Sequence, residues 1–286
     1  MTFMLGVKYR VGLAIALAIV FFLALIYSGQ AQQSVDVRID RWLAVQAMAG
    51  EVSYLHTTTA RSAQVGDRLI AVGDGLRTGN AASSLVSVDT GVGTIEVMEN
   101  TEMRVRNLSF APDNGRITHL YVPYGLIHLN LRRFTHRGSE LEIETPAGVS
   151  GVRGTEFGVN VQADGRMGIA TRSGQVDTWA QARQVSVVAG YQTLVRPGSP
   201  PEPPQPIPDR PVFNYRVEPR TAGGNRRLLL IGQIDPINRA YVEGVLQTLN
   251  YWGEFGYEIP ATQGASVRVT VVTPLGDRAE YDLALL

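Results

Sequence analysis

The chain has 286 residues, of which 44% are hydrophobic and 18% are charged, and its formal net charge is zero. This composition lacks the low hydropathy and high net charge of disordered proteins, so it predicts a packed core. A neutral chain has no global field to attract nucleic acid. The absence of cysteine excludes disulfides, thiolate metal sites and a cysteine nucleophile.

The N-terminal segment is typical of an exported protein. Lys8 and Arg10 precede an uncharged apolar run over residues 11–27, and small residues follow that permit cleavage after Ala31. The run also approaches the length that spans a bilayer, so a retained anchor is the alternative. Residues 1–33 are therefore predicted to be an apolar helix that acts as a signal peptide or a membrane anchor. Both alternatives place the rest of the chain in the periplasm or at the cell surface.

From Val35 onward, apolar and polar residues alternate with a period of two. Residues 127–131 and 157–161 are clear examples, and this is the pattern of strands with one buried face. Residues 113–115 and 164–165 supply turns between apolar runs. Since no amphipathic helix separates the runs, the sequence predicts an all-β fold, either a sandwich or a solenoid-like arrangement.

A proline-rich segment over residues 197–211 divides this pattern into two parts. Such segments favour the polyproline II conformation and act as semi-rigid spacers. We therefore predict a β domain over residues 34–196, a linker over residues 197–211, and a small β-sandwich module over residues 212–286. The spacer is expected to project the second module from the first.

A glycine-rich segment over residues 144–159 connects two of the predicted strands. Its distinctive residues are Thr145, Pro146, Gly151, Val152, Arg153, Gly154, Thr155 and Phe157. Proline cannot donate to a β ladder and so ends a strand, while the glycines permit a tight crossing. Arg153 could brace carbonyl groups or a carboxylate with its fork of donors. We interpret the segment as architecture.

This motif resembles the signature of the FecR domain family, in which a strand ends in Thr-Pro and a Val-Arg-Gly-Thr-x-Phe turn opens the next strand. Residues 65–69 and 73–79 resemble the start of the family pattern, and residues 171–176 and 188–192 resemble its closing strands. The resemblance covers about residues 41–196 and implies an all-β extracytoplasmic domain.

The second module looks like the immunoglobulin-like sandwiches appended to bacterial envelope proteins, on the order of its strand and turn segments. FecR-type signalling proteins are further expected to carry a cytoplasmic helix bundle that binds a sigma factor. Ten residues precede the apolar run, too few for such a bundle, so direct regulation of a sigma factor by this chain is not expected.

Two surface clusters are candidate binding sites. Arg132, Arg133 and Arg137 form a local basic group that could contact an anionic glycan or lipid head group, although a solvated loop is the alternative. Tyr251 and Trp252 belong to a dense group of aromatic residues in the second module. These residues either fill its core or form a platform for a sugar or a protein.

No constellation of catalytic residues is apparent in the sequence. Glu140, Glu142 and Glu144 share one strand face and could hold a cation loosely, but a solvated edge strand is the alternative. We therefore predict no enzyme activity, no cofactor and no metal. The predicted function is a non-catalytic binding or scaffold protein of the bacterial cell envelope, whose partner is an envelope protein, a glycan or peptidoglycan. The alternative is a membrane-anchored sensor of FecR type that signals through a partner, and residues 11–27 provide the only predicted membrane contact.

Overall fold

Strands dominate the described part of the chain, as the period-two pattern predicts. The computed structural model describes residues 41–222 and 225–285, and these ranges contain β-strands and no helix. The predicted all-β class is confirmed. The predicted N-terminal helix lies outside the described residues, and within them no helix is long and apolar enough to cross a membrane.

A first sandwich contains seventeen strands. They are β1 (Leu43–Ala49), β2 (Val52–His56), β3 (Thr59–Ser62), β4 (Arg68–Leu69), β5 (Gly75–Thr78), β6 (Ser83–Val88), β7 (Gly93–Val97), β8 (Thr101–Phe110), β9 (Arg116–Leu131), β10 (Glu140–Glu144), β11 (Val149–Val152), β12 (Glu156–Val161), β13 (Met167–Ser173), β14 (Gln175–Ala180), β15 (Arg183–Val188), β16 (Tyr191–Val195) and β17 (Gln205–Pro206).

Two sheets make up this sandwich, and the long strand β9 belongs to both. One sheet has the order β4-β1-β6-β7-β9-β12-β13-β16-β17. The other has the order β3-β2-β5-β8-β9-β10-β11-β14-β15. Neighbouring strands are antiparallel, except that β9 and β10 run parallel.

The strand β9 changes sheet at Gly125. Its first half pairs with β8, and its second half pairs with β7 and β12. Gly125 has a φ of +114°, and a Cβ atom there would overlap Thr101. The N–H of Leu126 donates to the hydroxyl of Thr101 (2.9 Å), which fixes the bend. Glycine is therefore required by both the backbone angle and the close approach.

One hydrophobic core lies between the two sheets and explains the alternation of the sequence. It includes Leu43, Val86, Ile95, Ile127, Leu129, Phe157, Val159 and Ile169 from one sheet, and Val52, Leu76, Met103, Val105, Leu120, Leu141, Ile143 and Val176 from the other. Phe157 is fully buried, and burial of such a side chain stabilises a fold by about 1.5–3 kcal/mol.

A second, smaller sandwich follows. Its strands are β18 (Phe213–Ala222), β19 (Asn225–Ile234), β20 (Arg239–Val242), β21 (Val245–Leu246), β22 (Glu254–Pro260), β23 (Ser266–Val272) and β24 (Arg278–Ala284). They form the sheets β18-β19-β22 and β21-β20-β23-β24. Leu230 and Phe255 of the first sheet share a core with Val242, Val269 and Val271 of the second. This two-sheet arrangement agrees with a sandwich, and its immunoglobulin-like class stays a prediction.

The proline-rich segment folds back along the first sandwich. Strand β17 pairs with β16, the N–H of Glu202 donates to the carbonyl of Leu194 (2.9 Å), and the hydroxyl of Thr193 donates to the carbonyl of Glu202 (2.7 Å). Proline lacks one backbone donor but keeps its carbonyl, so such a segment can still lie along a sheet edge. The expectation that it projects the second module away is wrong.

The two sandwiches touch through glycines of the first. A Cβ atom at Gly158 would overlap the carbonyl of Pro274, and one at Gly168 would lie 2.6 Å from the Cβ of Ile237. The described residues accordingly belong to one compact unit. The domain boundaries given above stay predictions.

Candidate functional site

The glycine-rich motif begins with a tight turn between β10 and β11. The N–H of buried Thr145 donates to the carbonyl of Gly148 (2.9 Å), and its hydroxyl accepts from the N–H of Gly148 (3.2 Å). Pro146 lies exposed at the corner of this turn. In β11, the ring of Trp179 covers Gly151, where a Cβ atom would lie 2.9 Å from it.

The motif continues into a turn that crosses from one sheet to the other. Val152 ends β11 in one sheet, and β12 begins in the other. Between them, Gly154 has a φ of +96°, and a Cβ atom there would overlap the backbone of Arg133. The N–H of Phe134 faces the carbonyl of Arg153 at 3.5 Å, and Thr155 is buried. Because Gly154 has no Cβ atom, the turn can approach the backbone of Arg133 closely. Arg153 therefore lies against the loop that follows β9.

Arg153 thereby lies beside the loop that carries Arg132, Arg133 and Arg137, and we call these four residues the arginine patch. All four side chains are exposed, and none forms an ion pair with a carboxylate of the described residues. Asp113 lies at its margin, where the N–H groups of Gly115 and Gly138 lower the pKa of its carboxyl group. The sequence identified three members of the patch, and the motif turn adds Arg153.

The aromatic candidates Tyr251 and Trp252 lie in the loop between β21 and β22. Their rings meet edge to face with centroids 4.6 Å apart, and both side chains are exposed. The guanidinium of Arg196 covers the Tyr251 ring at 4.2 Å. Within the described residues, no hydrogen bond, ion pair or ring contact joins this pair to the arginine patch.

The three glutamates of β10 have separate partners. Glu140 and Glu142 lie 3.0 Å and 3.6 Å from Nε2 of His119, whereas Glu144 faces Arg106 at 3.5 Å. Strand β10 lies between β9 and β11, so its interpretation as an edge strand is wrong. The ligand atoms of His119, Glu140 and Glu142 all lie within 4.8 Å of one another, a spacing that a cation could bridge. His119 comes close to the two glutamates only because β9 pairs in parallel with β10. The sequence does not reveal this pairing, so it did not indicate His119 as a candidate ligand.

A concave surface lies where the two sandwiches meet, and we call it the inter-sandwich cleft. Its volume is about 750 Å³, within the range of small-molecule sites, which occur preferentially at domain interfaces. The first sandwich contributes Arg77, Asn80, Asn100, Pro123 and Tyr124, and the second contributes Arg239 and residues 245–249.

Hydrogen bonds between the sandwiches hold the cleft in shape. Asn160 donates to the carbonyl of Ile237 (2.8 Å), and Gln162 donates to the carbonyl of Asn238 (2.6 Å). Buried Arg166 donates to the carbonyl of Leu249 (3.1 Å) at the end of the β21 loop. The second wall is therefore held by β12 and by the turn between β12 and β13 of the first sandwich.

The first wall carries a charged network around Glu102. Arg77 donates to its carboxylate from Nε (2.9 Å) and Nη2 (2.6 Å), and Arg104 donates from Nε (2.6 Å). Burial opposes ionisation of Glu102, but the bonds from the two arginines outweigh it and lower its pKa. Burial and the nearby carboxylate raise the pKa of Tyr124, so this residue offers a neutral ring and hydroxyl at the cleft.

Sequence reasoning missed this cleft. Its walls come from segments separated by more than one hundred residues, and its buried arginine, Arg239, has no neighbouring motif that would mark it. A cleft between two sandwiches exists only once they pack, so no local pattern could indicate it.

Comparison with known families supports the resemblance of the glycine-rich segment over residues 144–159 to the FecR signature. Residues 74–177 match the family model described as FecR protein. The predicted FecR resemblance is confirmed. The matched FecR region contains the motif turn and the first wall of the cleft, and it ends in β14.

Two solved structures are also similar. Both are crystal structures of a "putative anti-sigma factor" from Parabacteroides distasonis ATCC 8503, at 2.50 Å and 1.65 Å resolution. Each is 18% identical, with a TM-score of 0.38, and the match covers 46% of this chain and 58% of that chain. A comparison with curated proteins gave no match.

Proposed function

We propose that this chain is a non-catalytic binding protein of the bacterial cell envelope, exported through its N-terminal segment, and that the inter-sandwich cleft is its binding site. The observation that carries the proposal is the cleft of about 750 Å³, lined by arginine, tyrosine and amide side chains from both sandwiches. A partly apolar cleft with a few convergent polar groups is the usual form of a ligand site. The FecR region supports a role related to envelope signalling.

Glycan is the ligand class that this wall chemistry favours. Asn80, Asn100 and Gln247 present amide groups that both donate and accept hydrogen bonds, as sugar hydroxyls require. Tyr124 adds a ring with an apolar face and a polar tip. In a bacterial envelope, peptidoglycan is an abundant source of such ligands.

The test is calorimetric titration of the purified full chain with soluble disaccharide–peptide fragments of peptidoglycan. Thr248 is exposed and lines the cleft, so Thr248→Trp should fill it and weaken binding at least ten-fold, or about 1.4 kcal/mol. Thr262→Trp is the matched control, since Thr262 is exposed in the same sandwich outside the cleft. Absence of binding, or equal affinity of both variants, would contradict the proposal.

The arginine patch is proposed as a second contact surface for an anionic part of the envelope. Its four guanidinium groups have no carboxylate partner within the described residues, and exposed charges act over roughly 8 Å at physiological salt. Retention on an immobilised anionic polysaccharide should therefore decrease steeply with salt and with Arg133→Ser. Retention that is independent of salt would contradict a role for the patch.

The non-catalytic part of the proposal predicts that peptidoglycan fragments are recovered unchanged after incubation with the protein. Nucleophilic catalysis needs a nucleophile beside a base that a third group holds, and no such motif marks the sequence. Reproducible turnover that a single Asp, Glu or Ser substitution abolishes would contradict this part.

The FecR match favours a second candidate function, an envelope sensor that signals through a partner. This function requires residues 11–27 to remain in the membrane. The N-terminus of the mature protein discriminates the two candidates: a start at Gln32 supports a released binding protein, and a start at Met1 supports the sensor.

A further inference from the structure

A buried arginine without a counter-ion lines the inter-sandwich cleft. The Arg239 residue is 3% exposed, and its Nε donates to Oδ1 of Asn160 (2.9 Å) while its Nη1 donates to the carbonyl of Glu99 (2.9 Å). Both acceptors are uncharged groups. Within the described residues, no carboxylate oxygen lies within 4.0 Å of this guanidinium.

The other buried arginines are different in this respect. Arg41 is paired with the carboxylate of Asp89 (2.8 Å), and Arg166 is paired with that of Asp164 (2.6 Å). Each of these two pairs lies within one sandwich, whereas Arg239 reaches from the second sandwich to the first. Among the residues that the structure describes, each buried arginine has a carboxylate partner except the one that lines the cleft.

A buried charge without a counter-ion is unfavourable. Removing the guanidinium from water is unfavourable, and bonds to neutral carbonyl groups offset only part of this cost. Asp164, which also lines the cleft, is paired with Arg166, and Glu102 is paired with Arg77 and Arg104. The carboxylate of Glu99 accepts from the N–H of Ala81 (2.8 Å). An anionic group that enters the cleft would complete the pairing that the chain leaves open.

The shape of the guanidinium favours a planar anion. The donors of a guanidinium form a fixed fork that matches a carboxylate. In Arg239, Nε and Nη1 already donate to Asn160 and Glu99, and Nη2 has no acceptor within the described residues. Charge-assisted hydrogen bonds are about twice as strong as neutral ones. The amide groups of Asn80, Asn100 and Gln247 surround the same space and suit hydroxyl groups. The site therefore combines a buried guanidinium with several neutral hydrogen-bonding groups.

We propose that the cleft binds a glycan fragment through a carboxylate group that pairs with Arg239. This inference rests on the proposed function, in which the cleft binds glycan, and it adds the chemical group that the site selects. Arg77 lines the same cleft and adds positive charge near its mouth. Neutral fragments of the same size should bind with lower affinity.

The experiment compares one ligand in two charge states. Soluble disaccharide–peptide fragments of peptidoglycan are titrated into the full chain before and after methyl esterification of their carboxylates. We expect the free acids to bind at least ten-fold more tightly than the esters. In Arg239→Gln, the ratio of the affinity for the acids to the affinity for the esters should fall below two-fold.

Arg239→Lys is the matched variant, because it retains the charge and should keep part of the preference for the acid. The comparison of acid with ester in the unchanged protein needs no variant, so a folding defect in Arg239→Gln leaves the test intact. Equal binding of acid and ester would overturn the carboxylate inference and leave the binding function standing. Absence of binding for both forms would instead overturn the proposed function itself.

Discussion

Two glycines of the FecR motif, four residues apart in the chain, permit close contacts in different parts of the molecule. Gly154 has a positive φ and lies against the backbone of Arg133, within the first sandwich. Gly158 lies in strand β12 and faces the carbonyl of Pro274, in the second sandwich. One contact closes a turn that the first sandwich needs, whereas the other allows a second sandwich to dock. A single glycine-rich segment therefore contributes both to folding and to assembly of the cleft.

The largest expected effect is that of Gly154→Val. The new side chain would be strained by a φ of +96° and would overlap Arg133, and strain of this kind alone costs about 1–3 kcal/mol. Adding the overlap, we expect a loss of about 3 kcal/mol or more in the free energy of unfolding. Chemical denaturation monitored by circular dichroism measures this change.

Gly190→Val provides the control for Gly154→Val. Gly190 also has a positive φ, of +82°, but no atom lies within 4 Å of the position of an added Cβ atom. This variant isolates the strain, so its loss of stability should be clearly smaller. Equal losses in the two variants would show that the contact with Arg133 contributes nothing.

An intermediate effect is expected for Gly158→Val, because it disturbs docking rather than either core. The substitution overpacks the contact with Pro274, and overpacking typically costs about 1–3 kcal/mol. We expect calorimetry to show two separate melting transitions in place of one, together with weaker ligand binding in the cleft. Gly256→Val is the matched control, since Gly256 also lies in a strand but has only the end of the Leu229 side chain nearby, at 3.5 Å. A single unchanged transition in Gly158→Val would contradict the docking role.

A smaller effect is expected for Asp74→Asn, at the start of the matched FecR region. Asp74 is buried and accepts hydrogen bonds from the N–H groups of Ile70 (2.9 Å) and Ala71 (3.0 Å), and it contacts Nδ1 of His56 (2.6 Å). Burial opposes its ionisation, but these bonds outweigh it and lower its pKa. Asparagine keeps one acceptor oxygen but loses the charge, so we expect a loss of about 0.5–1.5 kcal/mol.

The pH dependence of this effect has a definite sign. Because the pKa of Asp74 is lowered in the folded state, its contribution is complete above about pH 4 and is lost as the pH falls through the folded-state pKa. The difference in melting temperature between the unchanged protein and Asp74→Asn should therefore shrink in acid. Asp209→Asn, on an exposed loop, is the control for the same chemical change away from this network. A constant difference from neutral to strongly acidic pH would contradict the assignment.

The smallest effect is expected for Trp252→Ala. This side chain is 67% exposed, and surface substitutions usually change stability by less than about 0.5 kcal/mol. Thermal unfolding should thus be unchanged, whereas a binding role for the aromatic pair would appear only in titrations. A loss of more than about 1 kcal/mol would instead place Trp252 in the core of its sandwich.

The sequence indicated the class of fold because alternation along a strand depends on neighbouring residues alone. The runs at residues 127–131 and 157–161 lie in β9 and β12, which pair with each other as part of one sheet. The turns at residues 113–115 and 164–165 likewise join strands as expected, because asparagine, aspartate and glycine tolerate the required angles. The proline-rich segment was misjudged, since its composition does not reveal that β16 offers a partner strand.

The features of the candidate sites also fall into two groups: those that depend on local sequence and those that depend on tertiary packing. Local sequence determined the strands, the Thr145 turn, the FecR motif and three exposed arginines, because each depends on residues a few positions apart. Only the tertiary structure decided that Arg153 joins the arginine patch, that His119 faces two glutamates, and that Arg239 lines a cleft without a counter-ion. The physical reason is that charge pairing and cavity shape depend on distances between atoms that the chain brings together only when both sandwiches have folded and packed.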